Sequence, residues 1–249
     1  MTKFDGHRVL ITGSTRGIGL AMAQRFVDEG ASVVVTGRNP ERVEQACEAA
    51  GASAGIAADL SQVTECERLV DASLDALGGL DLLINNAGVF SIAAVEDTDE
   101  SMWDETMTAN VKAAFFTSRA ALGALRESGG VILNHGSIAG LIGLANVAAY
   151  CASKGAIVHL TKALAMEFAP DVRVNCVCPT TVNNDMGWQG FNRADDPQAA
   201  YEAFVENSKL KRMPTNDDVV NAFVFLASPE ASFMTGVALP VDGGKSAGV

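Results

Sequence analysis

The chain has 249 residues, a formal net charge of −12 at pH 7 and a hydrophobic fraction of 48%. This length predicts a single α/β domain over residues 1–249, and the apolar fraction argues against disorder. The acidic excess disfavours nucleic acid or an anionic membrane as a partner. Because no apolar run approaches the roughly 20 residues that cross a bilayer and no leader pattern opens the chain, we expect a cytoplasmic protein.

The five cysteines and three histidines give no metal-binding pattern. An odd number of cysteines predicts free thiols in a reducing compartment. Cys176 and Cys178 would share one face of a strand, but no second Cys/His pair lies nearby, so we predict core packing and no metal site. For His7, His135 and His159 we predict a structural or solvated role.

Short β-branched runs alternate with longer helical patterns, which is typical of βαβ units and an α/β fold with a parallel sheet. Gly30 stands where a helix C-cap belongs, and Pro170 follows the end of a long helix. The stretch Gly187–Asp196 is the least regular part, and we predict a mobile substrate loop over about 183–210. The seven predicted strands are Arg8–Thr12, Ser32–Thr36, Ala54–Ala58, Leu80–Asn85, Gly130–Gly136, Val172–Cys178 and Val237–Val241.

A glycine-rich turn follows the first predicted strand and opens a helical pattern. Glycines there allow a tight turn and a close approach of the backbone to a pyrophosphate, which the helix N-terminus attracts. A turn without function is the alternative. The predicted nucleotide-binding residues of this turn are Gly13, Ser14, Thr15, Arg16, Gly17, Ile18 and Gly19.

The end of the second strand bears on which nucleotide binds. Folds that bind NAD commonly place an acid about 20 residues after the glycines, where it bonds to the ribose 2′-OH. Gly37 stands there, and Arg38 and Arg16 can offer guanidinium donors to a 2′-phosphate. We therefore predict NADP(H) over NAD(H). If both arginines only solvate the surface, no preference is expected.

Two further segments follow the carboxyl ends of predicted strands, at the same edge of the sheet. The Asp59 carboxylate, followed by Leu60, can reach an adenine amino group. Asn86, Ala87 and Gly88 can let a ribose lie against the backbone, although Asn and Gly are also common turn formers.

Tyr150 and Lys154 lie four residues apart, on one face of a predicted helix. Bringing a phenol from pKa ~10 toward ~7 requires about 4 kcal/mol in favour of the phenolate. One cation at about 4 Å, at an effective dielectric of about 20, supplies roughly that amount. The pair therefore predicts a general acid and base with its activating cation.

Ser137 ends the fifth strand, where its hydroxyl can hold a substrate oxygen while Tyr150 moves the proton. Asn110 falls inside a predicted long helix, where Asn is mildly unfavourable. Its amide can hold a water that links Lys154 to solvent, or it is an ordinary exposed amide.

In order and spacing, these motifs resemble the short-chain dehydrogenase/reductase family along nearly the whole chain. The resemblance implies a single Rossmann-like, doubly wound domain with about seven parallel strands and helices on both faces. It implies hydride transfer at a nicotinamide and a homotetramer, with a homodimer as the alternative. It also implies a catalytic tetrad of Asn110, Ser137, Tyr150 and Lys154, and nucleotide contacts from Tyr150, Lys154, Pro179, Thr180 and Val182.

The chain departs from the family pattern at three places. Thr180 stands where glycine is common, which restricts the backbone. Asn184 stands where a threonine usually meets the nicotinamide carboxamide. His135 and Gly136 replace a run that is usually rich in serine.

The residues expected around the substrate are mostly apolar, which predicts a neutral, partly hydrophobic secondary alcohol or ketone. A 3-oxoacyl thioester reductase, acting on a CoA or carrier-protein ester, is the alternative enzyme. A non-catalytic NADP-binding regulator is the alternative of another class. The predicted substrate residues are Ile138, Ala139, Leu144, Val147, Thr181 and Trp188.

Overall fold

The computed structural model describes residues 2–248, so both ends of the predicted domain, residues 1 and 249, lie outside it. Seven parallel strands form one sheet in the order β3-β2-β1-β4-β5-β6-β7. All the predicted strands are confirmed, and the largest difference is in β4, which begins at Leu82 and not at Leu80. The strands are β1 (Arg8–Ile11), β2 (Ser32–Gly37), β3 (Ala54–Ala57), β4 (Leu82–Asn85), β5 (Val131–His135), β6 (Arg173–Pro179) and β7 (Ala238–Val241).

Helices connect the strands, as the alternating pattern predicts. A π-helical turn, Thr108–Lys112, joins α4 to α5. The helices are α1 (Gly17–Asp28), α2 (Pro40–Ala50), α3 (Val63–Leu77), α4 (Glu100–Met107), α5 (Ala113–Ser128), α6 (Ala148–Phe168), α7 (Asp185–Phe191), α8 (Pro197–Asn207) and α9 (Asn216–Ala227).

Both faces of the sheet are covered, and the alternation of side chains along each strand divides the core in two. Val33 and Val35 pack in the cluster that α1 and α9 cover. Val34, between them, packs in the cluster that α3, α5 and α6 cover. Because a strand buried on both faces must be apolar at every position, its sequence reads as a continuous Val run.

The order of the strands reverses between β1 and β4, which are hydrogen-bonded neighbours although two strands separate them in sequence. The chain winds outward from this point in both directions. At such a switch point the connections leave to opposite faces, so a crevice opens at the carboxyl ends of the strands.

The segment predicted as an irregular loop is largely helical. The structure places α7 over part of Gly187–Asp196, and α8 over most of the remainder of 183–210. Side-chain caps start both helices: Asn184 accepts from Gly187 N, and Asp196 accepts from Ala199 N. The sequence prediction gave these caps too little weight; the predicted mobility stays a prediction.

Among residues 2–248, no helix is both long and apolar enough to cross a bilayer. In the same residues no three His, Cys, Asp or Glu side chains come close enough to hold a metal ion. Cys176 and Cys178 are buried free thiols whose Sγ atoms lie 3.7 Å apart, in the core packing predicted for them.

Candidate active site

The glycine turn after β1 packs closely against the turn after β4. Gly13 has φ +62°, and a Cβ there would lie 2.7 Å from Ala87 Cα. A Cβ on Gly19 would lie 2.6 Å from Asn86 Nδ2. Only glycine fits both positions, because one requires a left-handed backbone and both require a close approach.

Hydrogen bonds hold these two turns together. Thr12 Oγ1 accepts from the backbone N–H groups of Asn86 at 2.9 Å and Ala87 at 3.0 Å. Asn86 Nδ2 donates to the carbonyls of Thr12 and Gly13, each at 2.9 Å. The Arg16 side chain makes no cap at the start of α1, and no acid lies in its first turn. The helix N-terminus therefore keeps free donors and a positive end for an anion.

A cavity of about 1080 Å³ extends from this turn across the switch point to the face of α6. It brings together residues that are far apart in sequence. Of the predicted nucleotide-binding residues, the cavity is lined by Gly13, Thr15, Arg16, Gly17, Ile18, Gly19, Arg38, Asp59, Leu60, Asn86, Ala87, Gly88, Tyr150 and Lys154.

One end of the cavity carries two guanidinium groups. Arg16 and Arg38 are both exposed there, and neither side chain has a hydrogen bond or ion pair to residues 2–248. The space over Gly37 is not open, since a Cβ there would meet Thr15 Cγ2 at 2.6 Å. Gly37 itself lines the cavity, so a side chain at this position would require Thr15 to move.

These features fit a dinucleotide. The glycine cradle admits a pyrophosphate against free N–H groups, and the unpaired arginines supply positive charge at the adenosine end. The resemblance to the short-chain dehydrogenase/reductase family implies that such a nucleotide would exchange a hydride at the opposite end of the cavity.

Tyr150 and Lys154 face that opposite end from the first turns of α6. Lys154 Nζ donates to the His135 carbonyl at 2.7 Å and lies 5.6 Å from the centre of the Tyr150 ring. The Phe90 ring packs edge-on against Tyr150 at 4.8 Å between centroids. Ser137, after β5, lies close enough to the Tyr150 side chain to lower the pKa of its phenol.

Asn110 is buried at the π-helical turn, so it is not an exposed amide. Its Oδ1 accepts from Val89 N at 2.7 Å, and its Nδ2 donates to Ser153 Oγ at 3.0 Å. Ser153 Oγ in turn donates to the Tyr150 carbonyl at 2.8 Å. Asn110 therefore joins the segment after β4 to the turn of α6 that carries Tyr150; the predicted water link stays a prediction.

The pKa values of the pair differ from the sequence expectation. Burial raises the pKa of Tyr150 to about 12, although the nearby Ser137 hydroxyl acts in the opposite direction. Burial also lowers the pKa of Lys154 to about 8. The shift is opposite to the expectation that Lys154 brings the phenol toward neutrality, because loss of hydration disfavours the phenolate.

Some predicted residues do not line the cavity. Ser14 is fully buried, with its hydroxyl donating to Ile11 O and accepting from Thr36 N, so it holds β1 to β2. Thr180 is buried and its Oγ1 has no partner among residues 2–248. Two members of the predicted catalytic tetrad, Asn110 and Ser137, are also buried and do not line the cavity. Leu144, Thr181 and Trp188 are partly exposed but lie outside the cavity lining. The remaining predicted residues are buried outside it, and they are Pro179, Val182, Ile138, Ala139 and Val147.

The chain is similar to proteins of known class over nearly its full length. A family model described as enoyl-(acyl carrier protein) reductase matches residues 13–246. A 2-(S)-hydroxypropyl-CoM dehydrogenase from Xanthobacter autotrophicus is 39% identical over 246 residues, which cover 96% of each chain. The chain belongs to the short-chain dehydrogenase/reductase family.

One further sequence relative and one solved structure support membership of this family. A meso-2,3-butanediol dehydrogenase from Serratia marcescens is 36% identical over 250 residues, covering 98% of this chain and 96% of the other. The crystal structure of levodione reductase superposes with a TM-score of 0.94 at 29% identity, covering 99% of this chain and 100% of the other. The predicted Rossmann-like fold and the oxidoreductase family are thus confirmed.

Within this short-chain dehydrogenase/reductase, sequence reasoning gave His135 too little importance. Its side chain lines the cavity, whereas the sequence indicated a structural or solvated histidine. Its place next to Asn134 at the carboxyl end of a strand was the available signal. The cavity also receives Asn184, whose Nδ2 donates to Asn216 Oδ1 at 2.9 Å.

Proposed function

We propose that this protein is an NADP(H)-dependent oxidoreductase that interconverts a secondary alcohol and a ketone, with Tyr150 as the general acid and base. The observation that carries the proposal is the meeting of Tyr150 and Lys154 with the glycine cradle in one cavity. The bound nucleotide supplies or accepts the hydride. Ser137 and Tyr150 hold the substrate oxygen, and Tyr150 moves the proton.

The raised pKa of Tyr150 keeps its phenol protonated at neutral pH, the form that acts as general acid in ketone reduction. With a pKa of about 12, the Tyr150 phenol is ready to donate this proton to the developing alkoxide. In the direction of alcohol oxidation Tyr150 would accept the proton, and a bound oxidised nicotinamide would favour its phenolate through positive charge. Asn110 fixes the backbone behind Tyr150 through Ser153, so the phenol is oriented before substrate binds.

The substrate we propose is a neutral secondary alcohol or ketone with an apolar part. The names of the two dehydrogenase relatives, hydroxypropyl-CoM and 2,3-butanediol, each contain a secondary alcohol. Leu144, Thr181 and Trp188 lie outside the cavity lining but are partly exposed, and we propose that they contact such a substrate, whereas Ile138 and Ala139 are buried.

A 3-oxoacyl thioester reductase is the second candidate, because the matching family model is described by an acyl-carrier substrate. The net charge of −12 makes an acidic carrier protein an unfavourable partner, so a CoA ester fits better. A panel of ketones, secondary alcohols and 3-oxoacyl thioesters, followed by nucleotide absorbance, separates the two. We expect turnover of ketones; turnover of thioesters alone would support the second candidate, and turnover of neither would contradict both.

The preference for NADP(H) rests on Arg16 and Arg38, which lack acidic partners among residues 2–248. We expect kcat/KM to be higher with NADPH than with NADH. Loss of a charge-assisted bond in Arg38→Ala should lower kcat/KM for NADPH about 10- to 100-fold and change that for NADH little. Arg42→Ala, on the exposed surface of α2, is the matched control. Higher kcat/KM with NADH in the unmodified protein would contradict the assignment.

A further inference from the structure

His135 occupies a position between the glycine turn and Lys154. It ends β5, its side chain is partly exposed and it lines the cavity. Its imidazole Nδ1 lies 2.8 Å from Asn86 Oδ1. Its backbone carbonyl accepts the hydrogen bond from Lys154 Nζ at 2.7 Å.

The hydrogen bonds of Asn86 determine which imidazole nitrogen carries the proton. Asn86 Nδ2 donates both of its hydrogens to backbone carbonyls, which can only accept. The oxygen of the amide therefore faces His135, and Nδ1 must donate to it. In a neutral ring Nε2 is then an unprotonated acceptor.

The ring is held neutral by its surroundings. Burial, with the Lys154 cation nearby, lowers the pKa of His135 to about 3. The Phe223 ring packs edge-on against the imidazole at 5.6 Å between centroids, which covers one side. Nε2 makes no hydrogen bond to residues 2–248, yet it is not sealed from solvent, and the side chain borders the cavity.

We propose that His135 is a positioning residue that links the glycine turn, through Asn86, to Lys154, and whose Nε2 accepts a hydrogen bond from the bound nucleotide. This inference rests on the proposed function, since it needs a nucleotide in the cavity. The acceptor suits a hydroxyl or amide donor of the nucleotide.

Three substitutions of His135 distinguish the contact of Nδ1 with Asn86 from the contact of Nε2 with the nucleotide. His135→Asn keeps an amide donor near the position of Nδ1 and loses Nε2, while His135→Gln keeps an acceptor near Nε2 and loses the Nδ1 donor. His135→Leu loses both and leaves Asn86 Oδ1 unpaired. Because an acceptor left without its donor in this partly buried turn costs more than a missing bond, we expect His135→Leu to raise the dissociation constant of NADPH about tenfold or more.

Equilibrium titration of NADPH fluorescence measures these constants without turnover. The Asn and Gln variants should each fall between the unmodified protein and His135→Leu. Full recovery in His135→Asn would overturn the Nε2 contact, and unchanged binding in His135→Leu would overturn the whole proposal. His159→Asn, on the exposed face of α6, is the matched control, and thermal unfolding of each variant shows whether it is folded.

Nitrogen-15 NMR of the histidines gives a readout that a merely structural role does not move. With three histidines in the chain, the His135 signals are assigned by their loss in His135→Asn. We expect the Nδ1-protonated tautomer at pH 7 and a shift of the Nε2 signal when NADPH saturates the protein. A protonated Nε2, or no shift on saturation, would overturn the proposal. If the unmodified protein binds no nicotinamide nucleotide, the proposed function is contradicted, and this outcome is distinct from a failure of the His135 proposal alone.

Discussion

Among single residues, Lys154 is notable because its positive charge is buried, and burial makes that charge unfavourable. Its side chain is buried, at 5% exposure, and burial lowers its pKa from 10.5 to about 8. The hydrogen bond to the His135 carbonyl offsets part of this cost. A charge retained against such a cost indicates a role in function more than in stability.

Replacing this lysine should stabilise the protein while abolishing turnover. A base whose pKa is lowered by folding costs stability fully below the folded value, and the cost disappears as pH rises from about 8 toward 10.5. We expect Lys154→Met to gain up to about 3 kcal/mol in the free energy of unfolding at pH 7, less the lost hydrogen bond. Urea unfolding at pH 7 and at pH 10 measures the gain, which should shrink at the higher pH.

Lys162→Met is the matched control for this experiment, since Lys162 lies on the exposed face of the same helix. It should change the unfolding free energy little at either pH. A Lys154→Met variant that is less stable than the unmodified protein at pH 7 would show that the ammonium group stabilises the fold.

The identity of the residues at the site could be predicted, but their electrostatics could not. Tyr150 and Lys154 follow from helical spacing, because residues four apart share a face. The pKa of about 12 for Tyr150 depends on burial by segments distant in sequence, among them the one that carries Phe90. The sequence pattern around Tyr150 does not show how much water these distant segments exclude from it.

At the scale of elements, the glycine turn is fixed by contact with the turn after β4. Gly13 and Gly78 both have positive φ, so alanine strains the backbone at either. Only at Gly13 does an added Cβ also meet another backbone, that of Ala87; at Gly78 nothing lies within 4 Å. Alanine at Gly78 therefore measures the backbone strain alone, and alanine at Gly13 measures the same strain together with the steric clash.

Gly13→Ala should lose more stability than Gly78→Ala. Both lose about 1–2 kcal/mol to the left-handed conformation, and Gly13→Ala loses a further amount as the two turns move apart. It should also weaken nucleotide binding, which Gly78→Ala should leave unchanged. Thermal unfolding and NADPH titration of both variants measure this, and equal losses in the two would contradict the close contact between the turns.

Elements differ in how far local sequence determines them. The strands follow from continuous apolar runs, and Gly30 and Pro170 stand where the helices end. The π-helical turn around Asn110 and the helices of 185–207 were not predicted. Asn110 is held there by Val89 and Ser153, which are partners distant in sequence and so leave no local signal.

At the scale of the whole molecule, the parallel sheet places every functional segment at one edge. The turns after β1, β4 and β5 meet there because all strands run in the same direction. The glycine turn and Tyr150 line the same cavity. The architecture, and the meeting of most candidate nucleotide-binding residues in one cavity, could therefore be predicted once the alternating pattern was recognised.

The most direct test of the account compares the unmodified protein with Tyr150→Phe, measuring both NADPH-dependent ketone reduction and NADPH binding. The variant lacks only the phenol hydroxyl, so we expect turnover to fall by about 10²-fold or more while nucleotide binding persists. Persistent binding should appear as a rise in unfolding free energy of about 2.7 kcal/mol when NADPH is present at 100 times its dissociation constant. Normal turnover in Tyr150→Phe would contradict the central claim that Tyr150 moves the proton.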